Sequence, residues 1–188
     1  MKKIWFFALL LAFALLAVGA GYAAWSEHIT IAGTVNTGEV DWYIYNSAMQ
    51  TDIGLDWTCD PGFDTEPVQL DKNVGSTTLT PVDTDGDGDK DTLRVTVSRG
   101  YPGYYNYVSF VAKNNGTIPI AVQTPVVDNP NPVAIAAGYQ DNSGTLVLPG
   151  QTIGFGFQFL ILDGANESST YSFTIQFPGI QWNKYTGE

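Results

Sequence analysis

Apolar and polar residues alternate with a period of two through most of this chain, and beyond the first two dozen residues no stretch sustains a helical apolar period. Leu93, Val95 and Val97 point one way, with Arg94, Thr96 and Ser98 opposite, which predicts a half-buried strand. Val108, Phe110 and Ala112 form the inward set of the next strand, ended by Asn114-Asn115-Gly116, and Ile118 to Gln123 returns. Thr145 to Leu148 is a short strand, and Pro149-Gly150 turns into Gln151 to Leu162, with Ile153, Phe155, Phe157, Phe159 and Ile161 on one face and Gly154 and Gly156 on the other. Tyr171, Phe173, Ile175 and Phe177 supply the last long inward row, closed by Ile180 and Trp182. Nearer the start, Ile29 to Val35 and Val40 to Tyr45 read as two strands around Asn36-Thr37-Gly38, with Gly33 weakening the first. Pro125, Pro130 and Pro132 mark an irregular connection. About eight strands with frequent turn signals predict an all-β fold, a jelly roll or β-sandwich.

Two stretches break the pattern. At the start, Met1-Lys2-Lys3 is a basic head before an apolar run from Ile4 to Ala20 that exits through small residues, the layout of a secretory signal helix. Cleavage is expected at Ala23 and Ala24 by a signal peptidase, leaving a signal of residues 1–23 and one domain of residues 24–188. The alternative is an uncleaved anchor, because Ile4 to Ala24 is 21 residues and a helix needs about 20 to cross a bilayer. After cleavage the membrane would have no further part. The second break runs from Asn46 to Asp91, where the strand signal fades; eleven acidic residues lie between Asp52 and Asp91 against only Lys72 and Lys90. This predicts a long acidic surface excursion over residues 46–91.

Charge and cysteine usage narrow the function classes. Loss of Lys2 and Lys3 with the signal leaves 6 of the 8 basic residues against 19 acidic ones, a formal net of −13, which argues against a nucleic-acid partner. Cys59 is the single cysteine, so this exported chain has no internal disulfide and depends on burial, backbone pairing and metal. His28 is the single histidine, so there is no histidine-rich zinc motif, and no Gly-x-Ser-x-Gly or phosphate-cradling loop is present. No enzyme is expected, although the abundance of acids leaves paired-carboxylate glycosidase chemistry uncounted.

Within the acidic excursion, Asp83, Asp85, Asp87, Asp89 and Asp91 place carboxylates at every second position, with Gly86 and Gly88 between them. Calcium takes six to eight oxygens from loops of this kind. With Asp83 at position 1, Arg94 stands where an EF-hand has its bidentate Glu, so an EF-hand is excluded and a shortened aspartate loop is expected, holding calcium in a structural role. The alternative is a solvated acidic turn. Trp42, Trp57, Trp182 and the tyrosines Tyr101, Tyr104, Tyr105 and Tyr107 would serve a carbohydrate-binding face or, more commonly, a core. Asn115-Gly-Thr and Asn166-Glu-Ser are sequons compatible with glycosylation at Asn115 and Asn166.

The junction Gly21-Tyr22-Ala23-Ala24-Trp25-Ser26-Glu27, followed by Gly33-Thr34-Val35-Asn36-Thr37-Gly38-Glu39-Val40-Asp41, resembles that of the TasA/camelysin family, which includes archaeal bundling-pilus-like subunits. Asn115-Gly116-Thr117 after a strand, Leu148-Pro149-Gly150 and the ending from Phe173 to Trp182 extend the likeness over both ends and the middle, while residues 46–91 match less clearly. The resemblance implies a jelly-roll subunit of secreted, extracellular filaments in biofilm matrix or at the cell surface. Copies of the chain would join by donor-strand exchange, with Ile29, Ile31 and Val35 filling the neighbour's groove. The same strand would otherwise pair within its own domain. Two other functions stay open: a monomeric extracellular, calcium-dependent carbohydrate-binding module, and a membrane-anchored β-sandwich of a cell envelope.

Overall fold

The computed structural model describes residues 2–23, 33–49, 52 and 54–187. Two compact units divide it, Met1–Thr37 and Gly38–Glu188. The first contains a helix, α1 (Lys2–Ala23), whose described side chains, Lys3 to Val18, are all exposed. Among the described residues no helix is long and apolar enough to cross a membrane. Residues 33–37 follow as exposed, non-strand chain.

The second unit is built from antiparallel strands whose alternation sets which face is buried. The largest sheet contains β1 (Trp42–Met49), β2 (Trp57–Thr58), β3 (Val68–Gln69), β6 (Tyr105–Asn114), β9 (Ile135–Tyr139) and β11 (Thr152–Ile161), with β6 at its centre. β11 lies along one side of β6 from Thr152↔Lys113 to Leu160↔Tyr105. On the other side β1 covers Val108 to Asn114 and β2 reaches Tyr105. A register shift between Ile44 and Asn46 leaves Tyr45 unpaired and exposed, a β-bulge that lets Trp42 and Ile44 stay inside.

A four-stranded sheet, β4 (Ser76–Val82), β5 (Thr92–Ser98), β12 (Thr170–Gln176) and β8 (Val126–Asp128), pairs in that order. Three short strands, β10 (Leu146–Val147), β7 (Ile120–Val122) and β13 (Gly179–Gln181), form a third sheet, followed by a 3-10 turn at Trp182–Lys184. The architecture is all-β and sandwich-like. Its inner rows are those read from alternation: Leu93, Val95 and Val97, Val108, Phe110 and Ala112, Phe155, Phe157 and Phe159, and Tyr171, Phe173 and Ile175 all belong to one buried cluster. Aromatic rings join the two larger sheets. Phe177 stands 4.1 Å from Phe110 and 4.8 Å from Phe155, and Phe173 lies 5.7 Å from Phe157 and 5.5 Å from Phe159, in tilted or edge contacts that favour the ring quadrupoles.

Two sequence expectations are corrected, and a third falls mostly outside the described residues. Residues 46–91 are not simply an excursion: they contain the end of β1, all of β2 and β3, and the seven-residue β4. β4 is rich in threonine and carries Pro81, which an edge strand tolerates because one row of its backbone groups needs no partner. The region of Pro125, Pro130 and Pro132 holds β8 and β9 beside its irregular turns; β8 shows mostly exposed side chains, and Ala136, Ala137 and Gly138 give β9 little apolar contrast. The expected strand from Ile29 to Val35 has only Gly33 to Val35 among the described residues, and these are not in a strand.

Candidate metal centre

The loop joining β4 to β5 is shaped by its own aspartates. The Asp83 carboxylate accepts the Gly86 N–H at 2.7 Å and the Gly88 N–H at 3.0 Å, Asp85 accepts Asp87 N–H at 3.3 Å, and Asp87 accepts Asp89 N–H at 2.8 Å. Gly86 and Gly88 have φ of 83° and 102°, the left-handed region that only glycine enters cheaply, which is why glycines must alternate with the acids here. The winding brings one carboxylate oxygen each of Asp83, Asp85 and Asp87 within 4.8 Å of one another, all three residues exposed. The Gly86 N–H, followed by the other donors, holds the Asp83 carboxyl below its usual range. Asp85 is raised on balance: the Asp87 N–H lowers it, but burial and the charges of Asp87 and Asp91 outweigh that.

Asp91 and Asp89 face differently. Asp91 accepts the Thr84 and Thr92 hydroxyls and so pins the loop to the start of β5. Asp89 is pushed up to about 6 by burial, by a hydrogen bond with the Asp41 carboxyl and by the charges of Asp41, Asp87 and Asp83. Asp41 is therefore part of the same constellation. Its Oδ2 accepts Asn115 Nδ2 at 2.9 Å, and its Oδ1 is buried with no hydrogen-bond partner. A cavity of about 280 Å³ opens beside the loop, lined by Val40, Trp42, Asp85, Asp87, Asp91 and Phe177 among others.

This donor set is all oxygen and mostly carboxylate, which suits a hard divalent cation such as calcium and not a thiolate-seeking one. The residues fit such an ion: Asp83, Asp85 and Asp87 converge, and the Asp41 carboxyl, whose Oδ1 is buried with no hydrogen-bond partner, acts on neighbouring Asp89. Sequence reading missed Asp41, because it sits 42 residues before Asp83 and only its clamp to the turn after β6 brings it near. In that clamp Asn115 N–H and Gly116 N–H donate to the Asp41 carbonyl at 2.9 and 3.3 Å, Thr117 N–H to the Glu39 carbonyl at 3.0 Å, and Glu39 N–H to the Thr117 hydroxyl at 2.9 Å.

A second acid missed in the sequence organises the rest of residues 46–91. Asp56 is 1% exposed; its Oδ2 accepts the N–H groups of Val74 at 2.8 Å and Gly75 at 3.3 Å and the Tyr101 hydroxyl at 2.9 Å. Lys72 Nζ stands 3.9 Å over the Tyr101 ring. Nearby, Asp52 accepts Thr77 N–H at 2.7 Å, and Thr77, Tyr104 and Asn106 form a buried hydroxyl–amide chain. Part of the acidity of this stretch thus serves as internal staples and is not a solvated face.

Other sequence-derived site residues are scattered. Val35 is 85% exposed, while Ile29, Ile31, Ala24 and His28 lie outside the described residues; Ala23 ends α1. Asn115 is exposed but engaged with Asp41, and Asn166 is exposed with its backbone N–H donating to the Tyr171 hydroxyl at 2.6 Å. The aromatics do not make one open face: Trp42, Tyr104 and Tyr105 are buried, and Trp182 is 53% exposed. Cys59 is a free thiol, raised by burial and the Asp60 charge. No family model matches the chain, and no curated protein or solved structure does either.

Proposed function

We propose that the chain is a secreted structural subunit, without catalytic activity, that polymerises into extracellular or matrix filaments by lending its leading segment to the next copy. The observation that carries this reading is at the domain's entry. Residues 33–40 are exposed and outside every strand, although Val35 and Val40 are apolar, while the inner rows of the domain are closed at 0–6% exposure without them. A sequence alternating Ile29, Ile31 and Val35 is β-competent and is used best on a partner sheet. The acceptor in this reading is the edge of β12: β8 covers only Thr174 to Gln176, so Thr170 to Phe173 have a strand partner on the β5 side alone among the described residues. Because Tyr171 and Phe173 are buried, the added strand would be held by backbone pairing more than by filling an open core.

Calcium at Asp83, Asp85 and Asp87, supported by Asp89, Asp91 and Asp41, would be structural in this reading. The clamp that ties Asp41 to Asn115 also fixes Glu39, so bound cation would stiffen the point at which the leading segment meets the domain. The resemblance to the TasA/camelysin family, the signal-like residues 1–23 and the acidic charge support the same reading, with copies of itself as partner and the signal peptidase acting once. The test is electron microscopy of the signal-cleaved protein with and without calcium, beside a version lacking Trp25 to Val35. Filaments from the first alone support the reading. Stable monomers from both under all conditions refute it, and saturable glycan binding by that monomer would favour a binding module.

A further inference from the structure

Two stretches carry the Asn-x-Ser/Thr motif on which oligosaccharyltransferases act, Asn115-Gly116-Thr117 and Asn166-Glu167-Ser168. The motif alone does not choose between them. Its chemistry makes three demands of a folded chain: an asparagine Nδ2 free to attack, a hydroxyl two residues on that is free to meet the enzyme, and backbone between them that can leave the domain surface.

Asn115 is exposed but meets none of these demands. Its Nδ2 donates to Asp41 Oδ2 at 2.9 Å, and the Thr117 hydroxyl accepts the Glu39 N–H at 2.9 Å. The three backbone N–H groups of the motif are also used, those of Asn115 and Gly116 on the Asp41 carbonyl and that of Thr117 on the Glu39 carbonyl. Gly116 is buried so tightly that a Cβ would overlap the Glu39 carbonyl oxygen.

Asn166 meets all three. It stands in the turn from β11 to β12, where Asn166, Glu167 and Ser168 are all exposed. Among the described residues neither its Nδ2 nor the Ser168 hydroxyl has a hydrogen-bond partner. The turn is held instead by Asn166 N–H to the Tyr171 hydroxyl at 2.6 Å, Ala165 N–H to the Leu162 carbonyl at 3.0 Å and the Ser169 hydroxyl to the Glu167 carbonyl at 3.5 Å. Glu167 and Ser168 line a cavity of about 350 Å³ with Arg99, Tyr101 and Pro102, so open space lies beside the motif's second and third residues.

We propose that Asn166 is the N-glycosylation site of the folded chain, and that the clamp on Glu39 and Asp41 withholds Asn115 from the same modification. In the transfer, Asn166 Nδ2 attacks the anomeric carbon of an oligosaccharide carried on a lipid phosphate or pyrophosphate. The C–N bond forms as the C–O bond to phosphate breaks; the amide gives up one proton to the enzyme, and the lipid phosphate leaves with the electron pair. The placement suits the filament reading, on whose assumption of export this inference rests. Asn115 lies beside the Thr152 end of β11, where the leading segment enters, and the turn bearing Asn166 follows Ile161 at the other end. Ten residues of β11, about 30 Å of strand, thus hold the sugar away from the root of that segment.

The test is transfer by a purified oligosaccharyltransferase, with its lipid-linked donor, to the folded full chain and to peptides of residues 111–119 and 162–172. Both peptides should be modified, and in the folded chain only Asn166. Relative to its peptide, Asn115 should react at least about tenfold more slowly than Asn166, because reaching it first opens several hydrogen bonds. Asn166→Gln should abolish the added mass. Equal ratios at the two sites, or transfer to Asn115 alone, overturn the proposal. Glycopeptide mass spectrometry of the chain from its own cells should find sugar on Asn166 and none on Asn115; an unmodified Asn166 or a modified Asn115 there overturns it too. The filament reading fails separately, since transfer to the folded chain is measured without export or assembly.

Discussion

Gly116→Ala is expected to spring the clamp that holds Glu39 to Asp41. Gly116 is buried, and a Cβ built on it overlaps the Glu39 carbonyl oxygen and stands 2.8 Å from Asp41 N and 3.2 Å from Glu39 C. These are backbone atoms, so no side chain can rotate away; the segment must retreat. Retreat stretches the bonds of Thr117 N–H to the Glu39 carbonyl and of Asn115 N–H to the Asp41 carbonyl, 3.0 and 2.9 Å in the native turn. Overpacking costs about 1–3 kcal/mol and each weakened hydrogen bond about 1 kcal/mol net, so the loss should be about 3 kcal/mol. For a domain of this size that lowers Tm by about 6–12 °C. Gly154→Ala is the control: no atom lies within 4 Å of the added Cβ, and the substitution should be neutral or stabilising by up to about 1 kcal/mol. The assay is thermal unfolding by circular dichroism, with amide exchange at residues 115–117 to localise the effect. A Gly116→Ala chain that melts with the native protein and keeps its protection at those amides would refute the reasoning.

Three further outcomes are expected. Phe177→Ala should cost about 3–5 kcal/mol in denaturant unfolding, because the ring fills the space between Phe110 and Phe155; a cost under 1 kcal/mol would mean the two larger sheets are not joined there. Asp60 is held down to about 2 by the Thr65 hydroxyl and the N–H groups of Thr65, Asp64 and Gly62. Its folded pKa is depressed, so its contribution is present above the unfolded value near 4 and lost as pH falls toward 2; carboxyl NMR titration should show it titrating about two units below an ordinary aspartate, and Asp60→Asn should remove that acid-limb dependence. Added calcium at 100 times its Kd should raise stability by about 2.7 kcal/mol in the native chain and by little in the Asp83→Asn/Asp87→Asn double variant; an equal rise in both would place the ion elsewhere.

The long strands were legible in the sequence because their inward sets are large and uninterrupted: Phe155 to Ile161 and Tyr171 to Phe177 announce both their period and their buried face. β4 was not legible, since a threonine-rich edge strand has strand propensity without apolar contrast, and Leu79 and Val82 are only half buried. Within the site, Asp83, Asp85 and Asp87 could be read from spacing alone, because glycine at the two left-handed positions leaves few other ways to fold the loop. Asp41 and Asp56 could not. Their meaning depends on chain segments 40 or more residues away, Asp89 for one and Tyr101 for the other, which no local pattern reveals.

The two uses of charge in this molecule answer one another. Acids that look like a single repulsive run in sequence separate in the fold into inward staples, at Asp52 and Asp56, and an outward cluster whose carboxylates crowd without a compensating cation among the described side chains. Crowding of that kind strains the isolated loop, and its relief is available from any divalent ion bound there. An assembly joined by the leading segment would therefore respond to cations through the root of that segment at Glu39 to Asp41. Varying calcium and sodium independently tests this: calcium should act in small amounts and only with Asp83 and Asp87 intact, and sodium at the same ionic strength should not replace it.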